Sequence, residues 1–453
     1  MKKSFSIIHD NGSLAADFIS FATGLVLTFA IAGTIGCTQP KVDRQNNAAP
    51  PQMEPLSRKP IDNPIQENDI NLTDITAQSQ IHFGHDYDGH GEKFIVEAMA
   101  SGIGSLDFDL DGWIDVYFLN GASIPLEPDS SPSNALFRNL GGMRFVDVTS
   151  ESHTGDILFS MGVAIADYNR DGFPDIFVTN FGQNMLYKNN GDGTFEDTTM
   201  SAKLVVTNQL GAGACFLDAD RDGLLDLYVG NYVKSPVEKN VKRTTEGFPS
   251  YPGPLDFETE ADWGTAFFDV ENDGDQDLII ANGHTDPNVS QWAYTTSRKV
   301  RNTMLLNLGN GRFQDISSFC GSGLTPVESS RGLVVEDFDN DGDVDIIILN
   351  ALAAPTVIRN DSRLGFNWLH VELKGKSACR DGTGSRVSIE LMNKQLIQEV
   401  HSGRGYQSSY GQRLCFGLGE ATQAPKLRVR WSDGAIEEFE NIQSNQSLIL
   451  VQK

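Results

Sequence analysis

A nine-residue acidic loop occurs five times between residues 107 and 345, and it limits the possible folds more than any other feature. Each copy has oxygen-bearing side chains at positions 1, 3, 5 and 9 and glycine at position 6. Self-similarity at this spacing is typical of chains built from small units that pack against one another. The side chains at positions 1, 3, 5 and 9 are Asp107, Asp109, Asp111 and Asp115; Asp167, Asn169, Asp171 and Asp175; Asp218, Asp220, Asp222 and Asp226; Asp269, Glu271, Asp273 and Asp277; and Asp337, Asp339, Asp341 and Asp345.

The chemistry of the loop indicates a cation. Its side-chain oxygens converge because glycine at position 6 lets the chain turn sharply. Ca²⁺ is a hard cation that binds roughly six to eight oxygens in a flexible geometry. Closely packed carboxylates would repel one another without a cation. The sequence therefore predicts up to five bound Ca²⁺ ions, one per loop, and the alternative is a set of acidic turns without an ion.

The loops share the first half of an EF-hand but not its second half. An EF-hand needs a glutamate at position 12 and a helix after the loop. Position 12 here holds side chains that cannot bind a cation: Phe118, Val178, Val229, Ile280 and Ile348. The residues around each loop are short apolar stretches rich in β-branched and aromatic side chains, which predicts a strand, a loop and a second strand.

A second repeated pattern follows several of the loops. It runs from Asn134 to Asp147, from Asn184 to Asp197 and from Asn302 to Asp315, and it predicts another hairpin with a Gly-rich turn. Two hairpins make a four-stranded sheet, and such sheets repeated at this period form a β-propeller. The stretch from Leu72 to Thr76 matches the end of the pattern but precedes the first loop. We therefore expect an N-terminal strand to complete the last blade.

The number of blades stays open at this point. Between Asp226 and Trp263 the chain has no second hairpin, only the polar stretch from Lys234 to Glu260. Five blades between residues 70 and 362 would have roughly 60 residues each, and five lies within the range seen for propellers. An open or strained ring is the other interpretation.

The loops with their leading glycines resemble the FG-GAP/VCBS repeats of integrin α-chain propellers and bacterial surface proteins. The segment from Asn367 to Val451 resembles the ASPIC/UnbV domain; the matching stretches begin at Asn367, Gly384, Ser402, Phe416 and Val429. Together they are similar to a bacterial member of the cartilage acidic protein family. The resemblance implies an all-β chain with a calcium-binding propeller over 69–363 and a small all-β domain over 364–453. The propeller is expected to have about five blades, and the alternative is a seven-bladed type shortened by about two blades. The resemblance also implies that the loop positions above are the ligands.

The N-terminal residues are typical of export. Lys2 and Lys3 precede an uncharged run from Phe18 to Gly36 that ends at Cys37. Residues 1–37 resemble a bacterial lipoprotein signal with Cys37 as the lipidated residue, and an uncleaved anchor helix is the alternative. Residues 38–68 are rich in Pro, Asn and Gln, which predicts a flexible linker. We expect the chain at the cell envelope or outer surface.

The other cysteines are Cys215, Cys320, Cys379 and Cys415. Four cysteines in an exported chain permit two disulfides. Cys379 and Cys415 share the C-terminal segment, so they are the first candidate pair, and the alternative is four buried free thiols.

Composition and motifs favour an interaction protein. The net charge of −26 argues against a nucleic-acid partner and against docking on an anionic membrane, apart from an N-terminal lipid or anchor. His82, His85 and His90 with Asp86 and Asp88 fit a polar loop better than a zinc site, and His284 fits a turn.

We therefore expect a non-enzymatic, monomeric, calcium-binding protein that recognises a protein or glycan of the cell surface. Its ligand is expected on the loops at one face of the propeller or in the central channel. The alternatives are a carbohydrate-active hydrolase or lyase on the same scaffold and an accessory protein of secondary metabolism.

Overall fold

A computed structural model describes the chain from Asp69 onward with several internal gaps. The described residues are 69–87, 95–124, 131–204, 210–233, 244–245, 248–249, 261–285, 289, 297–309, 311–392 and 394–453. They all belong to one compact unit within Ile65–Lys453. The predictions for residues 1–37, for Cys37 and for the linker 38–68 lie outside the described residues. Within the described ranges no helix has the length and apolar character that a membrane crossing requires.

The first part of the described chain consists of short strands and two short helices. Most of the strands are neighbours in small antiparallel sheets, and the all-β, propeller-like fold is confirmed. In chain order the elements are β1 (Leu72–Asp74), α1 (Ile95–Met99), β2 (Ile103–Leu106), β3 (Asp115–Phe118), β4 (Ala135–Asn139), β5 (Phe145–Asp147), α2 (Thr149–Ser152), β6 (Ser160–Ala166), β7 (Asp175–Asn180), β8 (Met185–Asn189), β9 (Phe195–Asp197), β10 (Leu210–Leu217), β11 (Asp226–Val233), β12 (Thr244–Thr245), β13 (Phe248–Pro249), β14 (Ala261–Phe268), β15 (Asp277–Gly283), β16 (Val300–Arg301), β17 (Thr303–Asn307), β18 (Phe313–Asp315), β19 (Val327–Glu328), β20 (Ser330–Glu336), β21 (Asp345–Asn350) and β22 (Thr356–Asn360).

Five of these sheets are the blades. The first is β2-β3-β4-β5, the second β6-β7-β8-β9, the third β10-β11, the fourth β14-β15-β17-β18, and the fifth β20-β21-β22-β1. In each blade the first strand ends just before an acidic loop and the second strand starts at position 9 of that loop, as in the pair Leu106 and Asp115. The N-terminal strand β1 pairs with β22, so the expectation that it completes the last blade is confirmed.

The innermost strands touch one another through glycine. A Cβ atom added to one of these glycines would collide with a backbone carbonyl of the neighbouring blade, so no larger residue fits. The contacts are Gly264 with Arg331, Gly332 with Ser101 (2.7 Å), Gly102 with Met161 (2.7 Å) and Gly162 with Ala212 (2.8 Å). They place the blades in the order four, five, one, two, three.

The series of glycine contacts stops at the third blade. Gly213 holds the corresponding position, and a Cβ atom there would meet nothing within 4 Å. Among the described residues, therefore, no contact of this kind joins the third blade to the fourth. The third blade also has two strands where the others have four. The open-ring interpretation is the one that the described residues support.

The C-terminal part contains two sheets around a core of its own. The sheets have the strand orders β26-β23-β29 and β25-β24-β27-β28, and β23 and β29 are parallel. Trp431 and Leu427 are among the buried residues between them. The strands are β23 (Asn367–Lys374), β24 (Arg386–Glu390), β25 (Gln395–Glu399), β26 (Leu414–Gly419), β27 (Gln423–Arg430), β28 (Ile436–Gln443) and β29 (Gln446–Val451).

The suggested disulfide between Cys379 and Cys415 is wrong. All four described cysteines are free thiols. The sulfur of Cys379 lies 4.0 Å from Asp218 Oδ2 in the third acidic loop. Cys415 lies on β26 opposite His370. Burial raises the pKa of the Cys415 thiol, and the charges of Glu336 and Asp337 in the fifth blade raise it further. The two thiols therefore lie beside different blades.

Candidate metal sites

The five acidic loops have the same backbone hydrogen bonds. The carboxylate at position 1 accepts the N–H groups of positions 5 and 6; for Asp107 these bonds measure 3.1 Å from Asp111 and 3.0 Å from Gly112. The carboxylate at position 5 accepts the N–H of position 7. At position 9, Oδ2 accepts the N–H of position 2, as in the 3.1 Å bond from Phe108 to Asp115. These bonds hold every loop in one shape.

The loop turns at two positions rather than one. Glycine at position 6 has a positive φ in each loop, as the sequence predicts, with values from 83° at Gly223 to 102° at Gly342. Position 4 is also left-handed, which sequence reasoning missed because its residues share no chemical type. They are Leu110, Arg170, Arg221, Asn272 and Asn340, with φ between 57° and 64°. Only asparagine among these types favours that conformation.

Four of the loops bring three carboxylates together. Within each group the candidate ligand atoms lie within 4.8 Å of one another. The groups are Asp107, Asp109 and Asp115; Asp218, Asp220 and Asp222; Asp269, Glu271 and Asp277; and Asp337, Asp339 and Asp345. The second loop forms no such group, since Asn169 offers an amide in place of a carboxylate. The predicted ligands outside these groups are Asp111, Asp167, Asn169, Asp171, Asp175, Asp226, Asp273 and Asp341. The four groups of three carboxylates could each hold a metal ion.

Position 3 carries the most direct sign of an ion. Asp109 Oδ1, Glu271 Oε2 and Asp339 Oδ1 are buried oxygens without a hydrogen-bond partner, and Asn169 Nδ2 is a buried amide nitrogen in the same state. A buried polar atom without a partner costs roughly 1–3 kcal/mol. A cation seated among the carboxylates would give the three oxygens a partner, so the residues present fit a hard cation such as Ca²⁺.

The electrostatics of the loops also favour a cation. Burial raises the pKa of Asp107 to about 6, that of Asp337 to about 7 and that of Asp175 to about 8. Backbone N–H donors oppose this increase, and neighbouring carboxylates add to it. In the fourth loop, burial and the facing carboxylates raise the pKa of Glu271 far above its usual value. Without a cation these groups favour the protonated form, whereas a bound divalent ion favours the ionised form.

An asparagine at the end of the third strand positions the carboxylate at position 9. Its backbone N–H donates to Oδ1 of that carboxylate in four blades: Asn139 to Asp115, Asn189 to Asp175, Asn307 to Asp277 and Asn360 to Asp345, at 2.7–2.8 Å. In three of them the side-chain Nδ2 also donates to the neighbouring blade, at 2.8 Å in each case: Asn139 to Phe338 O, Asn189 to Phe108 O and Asn360 to Val270 O. The second sequence pattern contains three of these asparagines, but their role was not predicted.

The C-terminal domain covers the acidic loops. At least one of its residues contacts each loop: Arg413 with Gly112, Asp381 with Asp167, Cys379 with Asp218, Gly419 with Asn272, and His370 with Asp337. Lys394 also reaches the fourth loop, 3.7 Å from Asp275. The expectation that a ligand binds on the loop face is therefore wrong for the surface that this domain covers. A cavity of about 300 Å³ remains between the first two loops and this domain.

A segment of the same domain fills the centre of the propeller. Residues 401–413 touch the innermost strand of every blade. The contacts are Gly403 with Ala214, Gly405 with Thr265, Gln407 with Val163, Ser408 with Gly332, and Ser409 with Ser105. The prediction of a ligand in the central channel is therefore corrected, because this segment occupies the axis. Its Gly-rich sequence lets the backbone approach the inner strands closely.

Arg413 connects this segment to two loops, and sequence reasoning missed it. Its side chain is buried, lies 3.1 Å from Glu372, and donates to Asn340 Oδ1 at 2.7 Å and to Gly112 O at 3.2 Å. Arg413 therefore ties the first and fifth loops to the C-terminal domain. No pattern in the sequence distinguishes it from an exposed arginine.

Among the described residues, no histidine belongs to a group that could hold a metal ion. His85 is buried, and its Nδ1 accepts the N–H of Leu352 at 3.2 Å. Burial, followed by the nearby Arg331, lowers the pKa of His85 to about 3. His284 is buried at the end of β15, where its backbone carbonyl accepts from Arg331. Asp88 and His90 lie outside the described residues.

Comparison with known proteins agrees with this architecture. The model for the FG-GAP-like repeat matches residues 107–178, 167–229 and 269–348, and the model named ASPIC and UnbV matches residues 375–453. The chain therefore contains FG-GAP repeats followed by a C-terminal ASPIC/UnbV domain. It is homologous to cartilage acidic protein 1.

The protein of that name from Homo sapiens is 28% identical over 324 residues, which cover 69% of this chain and 46% of that protein. The Mus musculus protein is 27% identical over 326 residues, covering 69% of this chain and 47% of its own length. The chain thus spans about half the length of the curated relatives it matches.

Two solved structures were also compared. A lectin from Agrocybe aegerita, described as recognising terminal N-acetylglucosamine, is 15% identical, covers 58% of this chain and 66% of its own, and has a TM-score of 0.19. BBS1N in complex with ARL6DN is 10% identical, covers 75% and 92%, and has a TM-score of 0.14. TM-scores of this size carry no argument about fold or ligand.

Proposed function

We propose that this chain is an exported, surface-associated, calcium-binding interaction protein without catalytic activity. The observation that carries the calcium part is the recurrence of one loop geometry, in which position 3 of three loops has a buried carboxylate oxygen without a hydrogen-bond partner. FG-GAP repeats often bind calcium, which supports Ca²⁺ over other hard cations. Further support comes from the three carboxylates that converge in each of four loops.

Calcium would stabilise the propeller by binding only the folded loops. A ligand that binds the native state alone adds roughly 2.7 kcal/mol when its concentration is 100 times its Kd. Ionised loop carboxylates would hold each ion, and each ion would offset their mutual repulsion.

Titration of the metal-stripped full chain with Ca²⁺ tests the proposal. We expect up to five ions per chain, a melting temperature that falls sharply in chelator, and recovery when Ca²⁺ is returned. Asp339→Asn should lower the stoichiometry by one ion. Glu196→Gln removes an exposed carboxylate outside the loops and should leave the number of bound ions unchanged. A folded chain that binds no Ca²⁺ would contradict the proposal.

The interaction part concerns a protein or glycan ligand at the cell surface. Because the C-terminal domain covers the loop face and fills the axis, we infer that the ligand contacts other surfaces of the molecule. Binding screens against glycans and envelope proteins test this, and turnover of a polysaccharide by the purified chain would contradict the non-enzymatic assignment.

Attachment to the envelope through a lipid on Cys37 is part of the same proposal. It rests on the sequence before that residue. Incorporation of labelled fatty acid into the wild-type chain, and its loss in Cys37→Ser, is the expected result. Equal incorporation in both would exclude Cys37 as the site.

A further inference from the structure

In the part of the chain that the structure describes, the third and fourth blades each have one side face without a neighbouring blade. The residue two places before each acidic loop lies on the side of its blade that faces the preceding blade. Ser105, Ile165, Phe216 and Val335 hold this position and are at most 7% exposed. In the fourth blade the same position holds Phe267, which is 53% exposed. The preceding side of the fourth blade is therefore uncovered.

The third blade shows the same contrast on its opposite side. The third residue of the second strand faces the following blade and is buried in the other four blades, as Tyr117, Phe177, Ile279 and Ile347, each at most 1% exposed. The corresponding Tyr228 is 56% exposed. Leu217, just before the third loop, is 39% exposed, whereas Leu106 and Ala166 at the same position are buried. The following side of the third blade is therefore uncovered as well.

The covered junctions show what these faces are built to contact. Between the second and third blades, Phe177 packs edge-on against Phe216 with ring centroids 6.5 Å apart, and Ala166 and Ala214 belong to the same buried cluster. Each junction joins the following side of one blade to the preceding side of the next. The described residues leave one uncovered face of each kind, so a second copy carries the complement of both.

We propose that two copies of this chain associate through these faces, with the third blade of each packed against the fourth blade of the other. A twofold arrangement covers all four faces at once, whereas a single such contact would leave faces free for further copies. Exposed aromatic side chains such as Tyr228 and Phe267 are typical of the centre of an interface. The proposal replaces the expectation of a monomer and does not depend on bound calcium.

Light scattering of the full chain over a range of concentrations is the first test. We expect twice the mass of one chain at high concentration. Tyr228→Asp and Phe267→Asp should each weaken the association by about tenfold or more, since a buried carboxylate without a partner opposes docking. Leu140→Asp is the control, because Leu140 is 49% exposed in the first blade, which has a neighbouring blade on each side. Thermal melting of each variant shows that it is folded.

Cross-linking distinguishes two copies from closure within one chain. Leu217→Cys and Phe267→Cys are made separately in a Cys215→Ser background, mixed, and treated with a short bis-maleimide. A cross-linked pair that forms only in the mixture supports the proposal. A chain that stays monomeric at every concentration, or a double variant that cross-links within one chain while the mixture does not, would overturn it.

Discussion

The third and fourth blades carry the same acidic loop in different surroundings. In the fourth loop Asp269, Glu271 and Asp277 are all buried, at most 4% exposed. In the third loop Asp220 and Asp222 are exposed. In both loops the carboxylate at position 1 accepts the N–H groups of positions 5 and 6. The motif therefore determines the shape of the loop but not how much water reaches its carboxylates.

The neighbours of each loop explain the difference. The fourth loop is covered by the C-terminal domain through Lys394 and Gly419 and by the fifth blade, where Asp343 accepts from Asn272 at 2.7 Å. The third blade lacks the outer strands and the asparagine that would position Asp226, and no blade follows it among the described residues. We expect a buried loop without its ion to cost much more than an exposed one.

Replacing one ligand in each loop should give the largest contrast. In Ca²⁺, Glu271→Gln should lower the free energy of unfolding by about 4 kcal/mol, since it removes one partner from a buried ionic cluster. Asp220→Asn in the exposed loop should cost about 1 kcal/mol or less. In chelator the sign for Glu271→Gln should reverse, because one repelling carboxylate is gone. Denaturant unfolding measures both, and equal losses in Ca²⁺ would refute the contrast.

The glycines of the inner strands provide the next comparison. Gly264→Ala would push a methyl group into the carbonyl of Arg331 and should cost about 3 kcal/mol. Gly213→Ala at the same position of the third blade meets open space and should change stability by less than about 1 kcal/mol. Thermal unfolding of the two variants measures these changes in stability. A large loss for Gly213→Ala would mean that the face is covered.

The asparagines at the ends of the third strands allow a comparison between a blade that bonds to its neighbour and one that does not. Asn360→Ala removes a side-chain bond to Val270 in the neighbouring blade and should cost about 2 kcal/mol. The Asn307 side chain bonds only within its own blade, to Gln276 O at 3.0 Å, among the described hydrogen bonds. Asn307→Ala should therefore cost about 1 kcal/mol. Similar losses would show that the bond between blades adds little.

The pH dependence of stability should change sign with calcium. In chelator, the folded chain has carboxyls with pKa raised to about 6 to 8, as for Asp337 and Asp175, against about 4 when unfolded. The folded state then binds more protons, so stability should increase as the pH falls from 8 towards 5. In Ca²⁺ stability should decrease over that range, because protons compete with the ion. Melting curves at several pH values test both signs.

The sequence predicted the repeated hairpins and the all-β class because both follow from local patterns. It also predicted that the N-terminal strand β1 completes the last blade, because the stretch from Leu72 to Thr76 matches the end of the second repeated pattern. Acidic positions with a following glycine specify a turn, and alternating apolar residues specify the strands beside it. The left-handed residue at position 4 was missed because Leu110 and Arg170 show no local preference for that conformation. The asparagine bonds between blades were missed because they join residues far apart in the chain, as Asn139 and Phe338 do.

The sequence by itself determined which side-chain oxygens belong to each loop, since nine consecutive residues suffice to form that turn. Only the tertiary structure decided which loops are buried, that residues 401–413 fill the axis, and that among the described residues no blade packs on the free side of the third blade. Those outcomes depend on contacts between distant segments, such as Gly403 with Ala214, and on which blade has a neighbour. Burial and desolvation are properties of the packed molecule, so no single segment of the sequence contains them.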